Sequence, residues 1–458
     1  MARLLFIGLD GVGLDLAQHL ARIGVTPHLG QLMDRAGAWA TDSPLPEVSP
    51  VCWTTLFSGQ EPGQHGVFGF GELVPGAYAV RPVDSTAVRV PRLWQEVSQA
   101  GGRAVVLNVP LTYPAAPLNG VMVSGFVAPE LTRAVHPPEM LGQLQALGYR
   151  PESDLDRAVS DPAALTPDLL ATLEVRLALF RRMLEEPWDL CVAVFTETDR
   201  INHFLWPALW DDAHPLAPAA RQAYRRIDDF LGLVWQTQAP AIASGELVLM
   251  LAADHAFGPI VSEVYLNPWL REQGLLLAEG WQAGPGQERI LPASQALALD
   301  PGRIYLHWAG RFPGGRLVPG PAAEELRGRI RAGLLGLRFR RLGRGPDGRP
   351  ALLEEAPIAA VHDGRELYHG PQAHLAPDLV AVAAPGYSLR AGMGRPGVFG
   401  LSHLSGAHRP SGALALRLPP PDQQPQALAG LHRLMTEALG LKNHPVFGPD
   451  LPSPASLG

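Results

Sequence analysis

The chain has 458 residues, 47% hydrophobic and 18% charged, with a formal net charge of −7. Such a length buries a sizeable core and leaves room for two or three domains, and the mild acidity without a basic run argues against a nucleic-acid polymer as partner. Only Cys52 and Cys191 are present, which excludes a disulfide scaffold and points to a reducing, cytoplasmic compartment.

The N-terminal stretch MARLLFIGLDGVG holds an apolar run too short for a signal peptide, closed by Asp-Gly instead of a small-residue cleavage site. Leu4–Leu9 is therefore read as a buried strand whose carboxyl end opens at Asp10. No apolar stretch is long enough to span a membrane. Leu14–Ile23 and His28–Arg35 read as helices. Ser49–Phe57 (SPVCWTTLF) carries Ser before Pro, which predicts Ser49 as N-cap of a helix. Ser85–Val97 is a further helix candidate, and Ala104–Val109 and Val121–Phe126 are read as strands. Asp168–Glu186 and Arg221–Gln236 show apolar residues at helical spacing, for example Leu169, Leu173, Leu177, Phe180 and Leu184. Leu190–Phe195 and Leu247–Leu251 read as strands that end in Thr-Glu-Thr-Asp and Ala-Ala-Asp-His.

Apolar strands alternating with amphipathic helices predict an α/β fold with a mostly parallel central sheet sandwiched by helices. Residues 1–258 and 376–442 are read as the two parts of the catalytic core. Residues 259–375, with a helix at Ala322–Leu337, are read as a smaller inserted cap, and 443–458 as an irregular tail. The arginines of Arg338–Arg349 (RFRRLGRGPDGR) are read as a solvated loop, and Asp378–Ala383 and Ala413–Leu416 as strands. His65 is read as structural, and His307, His362, His369 and His374 as surface residues.

In parallel sheets ligands bind beyond the carboxyl ends of the strands, where Asp10, Asp199 and Asp254 all fall. Asp199 and His203 stand four apart, which places them on one helix face. His255 follows Asp254 at a strand-to-loop turn, and His408 lies in a Gly-Ala-His-Arg loop. With Ser49 these residues supply six oxygen or nitrogen ligands and one nucleophile, enough for a two-metal phosphoryl-transfer site. Each alone has a plain structural reading as a cap, an Asx turn or a surface residue.

The stretches LLFIGLDGVG, SPVCWTTLFSGQEPGQHGVFGF, FTETDRINHFLW, LMLAADHAFGP and SGAHRPSGALAL, in that order, resemble the alkaline phosphatase superfamily and its type I phosphodiesterase / nucleotide pyrophosphatase branch. The resemblance implies two divalent ions, zinc or manganese, one held by Asp199, His203 and His408 and the other by Asp10, Asp254 and His255. It implies Ser49 as nucleophile for a small phosphoester substrate, through a covalent phosphoserine. It leaves Asn108 and Arg200 as candidate phosphate contacts. The branch's better studied nucleotide pyrophosphatases carry Thr followed by Phe-Pro-Asn-His, where this chain has Ser49-Pro50-Val51-Cys52-Trp53. A sulfatase reading fails because Trp53 stands where its motif needs Arg. A phosphomonoesterase or phosphomutase and a catalytically inactive metal-binding relative remain as alternatives.

Overall fold

The structure, a computed structural model, describes residues 2–154, 159, 161–280, 289–344 and 349–441. The tail expected at 443–458 lies outside the described residues. The chain divides into two compact units. One holds Met1–Val67, Val83–Phe257 and the chain from Leu404 onward; the other holds Phe68–Pro82 and Gly258–His403.

The first unit is built on an eight-stranded sheet. Its spatial order is Trp39–Asp42, Ser411–Leu418, Leu247–Ala252, Arg3–Leu9, Leu190–Phe195, Ala104–Leu107, Gly120–Val123 and Val135–His136. The five strands from Leu247–Ala252 to Gly120–Val123 run parallel, and the outer three are antiparallel to their neighbours. Leu190–Phe195 and Leu247–Ala252 are buried at every residue, because helices cover both faces. The period of two along Arg3–Leu9 divides its side chains between two cores. Leu5, Ile7 and Leu9 enter a core shared with Leu165–Phe180 and Tyr224–Val234; Leu4 and Phe6 enter one shared with Trp53, Phe57 and Trp94.

Register aligns the strand ends. Leu9 lies opposite Phe195 and Gly8 opposite Ala252. The residues that follow, Asp10, the Glu197–Trp210 helix and Asp254, therefore leave the sheet at one edge. Asn108 follows the neighbouring strand Ala104–Leu107, whose Leu107 pairs with Ala193.

Element boundaries depart from the sequence reading in instructive places. The Ser85–Val97 candidate is a short 3-10 turn, Ser85–Ala87, and a separate helix, Leu93–Gln99. Pro91 divides them, since a residue before proline is pushed away from helical geometry. The helix expected from Asp168 begins at Pro162, where Asp161 accepts from the Ala163 amide and proline takes the first turn. The Ala104–Val109 strand stops at Leu107 because Asn108 has a φ of 60°. Arg338–Arg349 is not a simple loop: Phe339–Arg344 pairs with Pro350–Glu355 as a hairpin.

The second unit has its own core around Trp269, Leu306 and Ile330. Its main sheet runs Ala296–Leu299, Arg303–Leu306, Leu379–Ala383, Ile358–Asp363, with antiparallel neighbours throughout. Leu379–Ala383 joins this sheet, whereas the sequence reading assigned 376–442 to the core. His307, expected on the surface, is buried, with its Nε2 2.6 Å from the Tyr78 hydroxyl.

Candidate active site

All seven residues singled out for chemistry lie in the first unit, and the structure brings them together. Asp10 is buried, and its Oδ1 lies 3.5 Å from Ser49 Oγ and 3.6 Å from His255 Nε2. His255 Nε2 is also 3.3 Å from Asp254 Oδ2. On the other side Asp199 Oδ1 lies 3.2 Å from His408 Nε2 and 3.5 Å from His203 Nε2. The rings of His255 and His408 stack at 3.7 Å, so the two sets are contiguous. Asp10, Asp254 and His255 form one group of donor atoms close enough to share an ion; Asp199, His255 and His408 form another. His203 reaches the second group through its contacts to Asp199 and His408.

Each ligand is held from behind. Gly11 has a φ of 72°, which turns its amide onto Asp254 Oδ1 at 3.1 Å. Thr198 donates from Oγ1 to the Asp10 carbonyl at 2.6 Å, and Asn202 donates to the Gly11 carbonyl at 2.8 Å. The three imidazoles share one arrangement. Nδ1 faces a backbone carbonyl in each: Gly406 for His203 at 2.9 Å, Glu47 for His408 at 2.8 Å and Ala256 for His255 at 3.3 Å. A carbonyl can only accept, so the Nδ1 atoms carry the protons and Nε2 turns inward with its lone pair.

That inward arrangement is unbalanced without a cation. His203 Nε2 and His408 Nε2 lie 3.0 Å apart. Asp199 Oδ1, Asp254 Oδ2 and His255 Nε2 are buried without a hydrogen-bond partner. Burial, then the charges of Asp254 and Asp199, raise the Asp10 carboxyl well above the usual range. Burial pushes Asp254 up to about 7. Burial works against the charge of Asp199 too, but His203, His408 and Arg200 outweigh it and hold that carboxyl low. Burial pulls His203 down to about 4 and holds His255 well below the usual imidazole range. His408 is raised despite burial, because the Asp199 carboxylate beside it favours the charged ring. Orphaned oxygens and imidazole lone pairs converging on one buried cluster fit divalent cations.

Ser49 departs from its expected cap role. It is the first residue of the Ser49–Ser58 helix, Val48 is the N-cap, and no side-chain cap bond forms. The amides of Val51 and Cys52 both donate to the Val48 carbonyl, so neither is open to an anion. The hydroxyl is left facing Asp10.

The two candidate phosphate contacts are differently placed. Arg200 Nη1 is 2.5 Å from Asp199 Oδ2, its Nη2 is 2.8 Å from Glu152, and its guanidinium lies over the Phe126 ring. It is thus tied between two carboxylates. Asn108 Oδ1 accepts from the Tyr149 hydroxyl, and its buried Nδ2 has no hydrogen-bond partner.

Sequence reasoning missed Trp53, whose Nε1 donates to Asp10 Oδ2 at 3.1 Å. The available signal was its spacing of four from Ser49, which puts both on one helix face.

The family described as Type I phosphodiesterase / nucleotide pyrophosphatase matches residues 4–409. No curated protein matches the chain. Among solved structures, phosphonoacetate hydrolase from Sinorhizobium meliloti 1021, in complex with phosphonoformate, superposes with a TM-score of 0.63 at 16% identity, covering 96% of each chain. Murine ectonucleotide pyrophosphatase / phosphodiesterase 5 superposes with a TM-score of 0.57 at 14% identity, covering 98% of this chain and 97% of that one. The human form of the latter gives 0.54 at 14%, with the same coverage. At these identities the likeness establishes the alkaline-phosphatase-like fold.

Proposed function

Because the chain belongs to the type I phosphodiesterase / nucleotide pyrophosphatase family, a family of phosphoester hydrolases, we propose that it cleaves a small phosphodiester or pyrophosphate through a covalent intermediate on Ser49. The observation that carries this reading is the Ser49 hydroxyl directed at Asp10 Oδ1, 3.5 Å away, beside two contiguous groups of carboxylates and imidazoles.

Asp10, Asp254 and His255 would hold one divalent ion, and Asp199, His203 and His408 the other. Bound there, the ions would supply positive charge to lower the pKa of the attacking hydroxyl and to balance charge on the leaving oxygen. The protein's residues do the rest. Ser49 Oγ gives up its proton to solvent and attacks phosphorus, the bond from phosphorus to the leaving oxygen breaks, that oxygen takes up a proton, and the phosphoryl group stays on Ser49 with its remaining substituent. Water then attacks phosphorus, the Ser49 Oγ–phosphorus bond breaks, and a proton from the water restores the hydroxyl. Asp10 orients the hydroxyl, and Arg200 holds Asp199 in place from outside the ligand set. The buried, unpaired Cys52 and Cys191 suit the reducing, cytoplasmic setting that completes the reading.

The test is hydrolysis of bis-p-nitrophenyl phosphate against p-nitrophenyl phosphate, with zinc or manganese added and Ser49→Ala as blank. The proposal expects a diester preference that the blank abolishes. A monoester preference would move the chain to the phosphatase or mutase side. Equal turnover by the Ser49→Ala protein would remove the covalent route.

A further inference from the structure

Along the Arg3–Leu9 strand the even positions Phe6 and Gly8 face one side of the sheet, and Asp10 continues that side beyond the strand. Trp53 lies along this face. Its ring meets Phe6 edge-on at a centroid distance of 6.3 Å and stacks on Phe57 at 5.9 Å. A Cβ on Gly8 would come within 2.6 Å of its Cη2 atom, so glycine there lets the indole lie flat on the strand. The ring is 1% exposed and ends with Nε1 3.1 Å from Asp10 Oδ2.

This donation divides the Asp10 carboxylate. Oδ2 is engaged by the indole, while Oδ1 faces Ser49 at 3.5 Å and His255 at 3.6 Å. Trp53 also stands one helical turn after Ser49 on the same helix. One rigid ring therefore links the helix that carries the hydroxyl to the strand that carries the carboxylate. An indole N–H can only donate, and in a buried site a donor aimed at a carboxylate holds its orientation strongly. Asn or Thr at this position would lack the reach and the packing.

We propose that Trp53 is a positioning residue that locks the Asp10 carboxylate so that Oδ1 alone is presented to the ion shared with Ser49. The inference rests on the reading of Asp10, Asp254 and His255 as an ion-binding set. It assigns a role to a side chain that neither touches substrate nor binds the ion itself. Residues that orient metal ligands from behind typically change metal affinity or activity by about 10- to 100-fold when lost.

The experiment is zinc binding to metal-free protein, by competition with a chelating dye, for wild type, Asp10→Asn and Trp53→Phe. A fourth protein carries the sulfur isostere of tryptophan at position 53, which keeps the ring shape and has no N–H. The expected result is zinc bound about 10- to 100-fold more weakly by both Trp53 variants. Turnover should be recovered as zinc is raised, and the isostere, which loses one hydrogen bond but keeps the ring's packing, should lower the unfolding midpoint of metal-free protein less than Trp53→Phe does. Recovery by excess zinc separates positioning from a merely structural role. If Trp53→Phe folds poorly, the isostere decides. Wild-type zinc affinity in the folded isostere variant would overturn the inference while leaving the ion sites standing. Zinc affinity unchanged in Asp10→Asn would overturn the ion-site reading, and this inference with it.

Discussion

Ser49 forms no capping bond, and its donation to Asp10 spans 3.5 Å, long for a hydroxyl hydrogen bond. The hydroxyl therefore contributes little to stability, and its loss isolates chemistry. Ser49→Ala should lower turnover on the order of 10³-fold or more. Its metal content, by plasma mass spectrometry, should match wild type. Asp254→Asn can still accept from the Gly11 amide at Oδ1 but loses its charge. It should retain less zinc after dialysis, with an affinity at least about 10-fold weaker. Unchanged zinc in that variant would remove Asp254 from the ligand set. Asp10 and Asp254 were legible in sequence because each follows an apolar run, Asp199 and His203 because they stand at a helical spacing, and Ser49 because proline follows it. Trp53 was not, since an aromatic inside an apolar helix reads as core, and it is core along most of its ring.

At the scale of elements, the Glu197–Trp210 helix carries both Asp199 and His203, so its placement sets half the site. It is clamped to the Pro162–Glu185 helix by Arg176 and Glu197, 2.7 Å apart and with side chains 2% and 1% exposed. Removing one partner of a buried pair leaves an uncompensated charge, at a cost of about 3–5 kcal/mol. Arg176→Met should lower stability by that amount in urea unfolding; a loss under about 1 kcal/mol would mean that the pair does not fix the helix. Gly11 is the second fixed point. A methyl there would meet Phe257 Cε2 at 2.5 Å in a backbone conformation that alanine resists. Gly11→Ala should cost about 1–3 kcal/mol and weaken zinc binding through the Gly11–Asp254 bond. Apolar runs and helical spacing revealed the elements themselves. Their ends were hidden where backbone geometry decides, as at Pro91, Asn108 and Ser49.

For the molecule as a whole, pH and metal should act on the same two-unit chain in opposite ways. Burial holds His65 down to about 3, while the unfolded side chain titrates near 6.5. Between those values the unfolded state binds the extra proton, so stability is full above about 6.5 and falls as pH drops toward 3. His65→Gln should be less stable than wild type at pH 7.5, having lost the contacts to Thr55 and Val67. Because only the wild type loses the His65 contribution on acidification, the gap in unfolding temperature between the two metal-free proteins should narrow from pH 7.5 to 5.5. An unchanged gap would mean that His65 does not titrate on unfolding. Zinc at 100 times its dissociation constant should add about 2.7 kcal/mol of stability. The core's apolar strands exposed the parallel sheet in sequence, whereas the smaller unit's short antiparallel strands, Gly- and Pro-interrupted, did not announce that Leu379–Ala383 pairs with Arg303–Leu306. The most direct test of the central claim is a rapid acid quench during turnover of bis-p-nitrophenyl phosphate in zinc, followed by intact and peptide mass spectrometry. The account predicts one added p-nitrophenyl phosphoryl group, located on Ser49 and absent from Ser49→Ala; steady turnover with no adduct at any quench time, and activity persisting in Ser49→Ala, would contradict it.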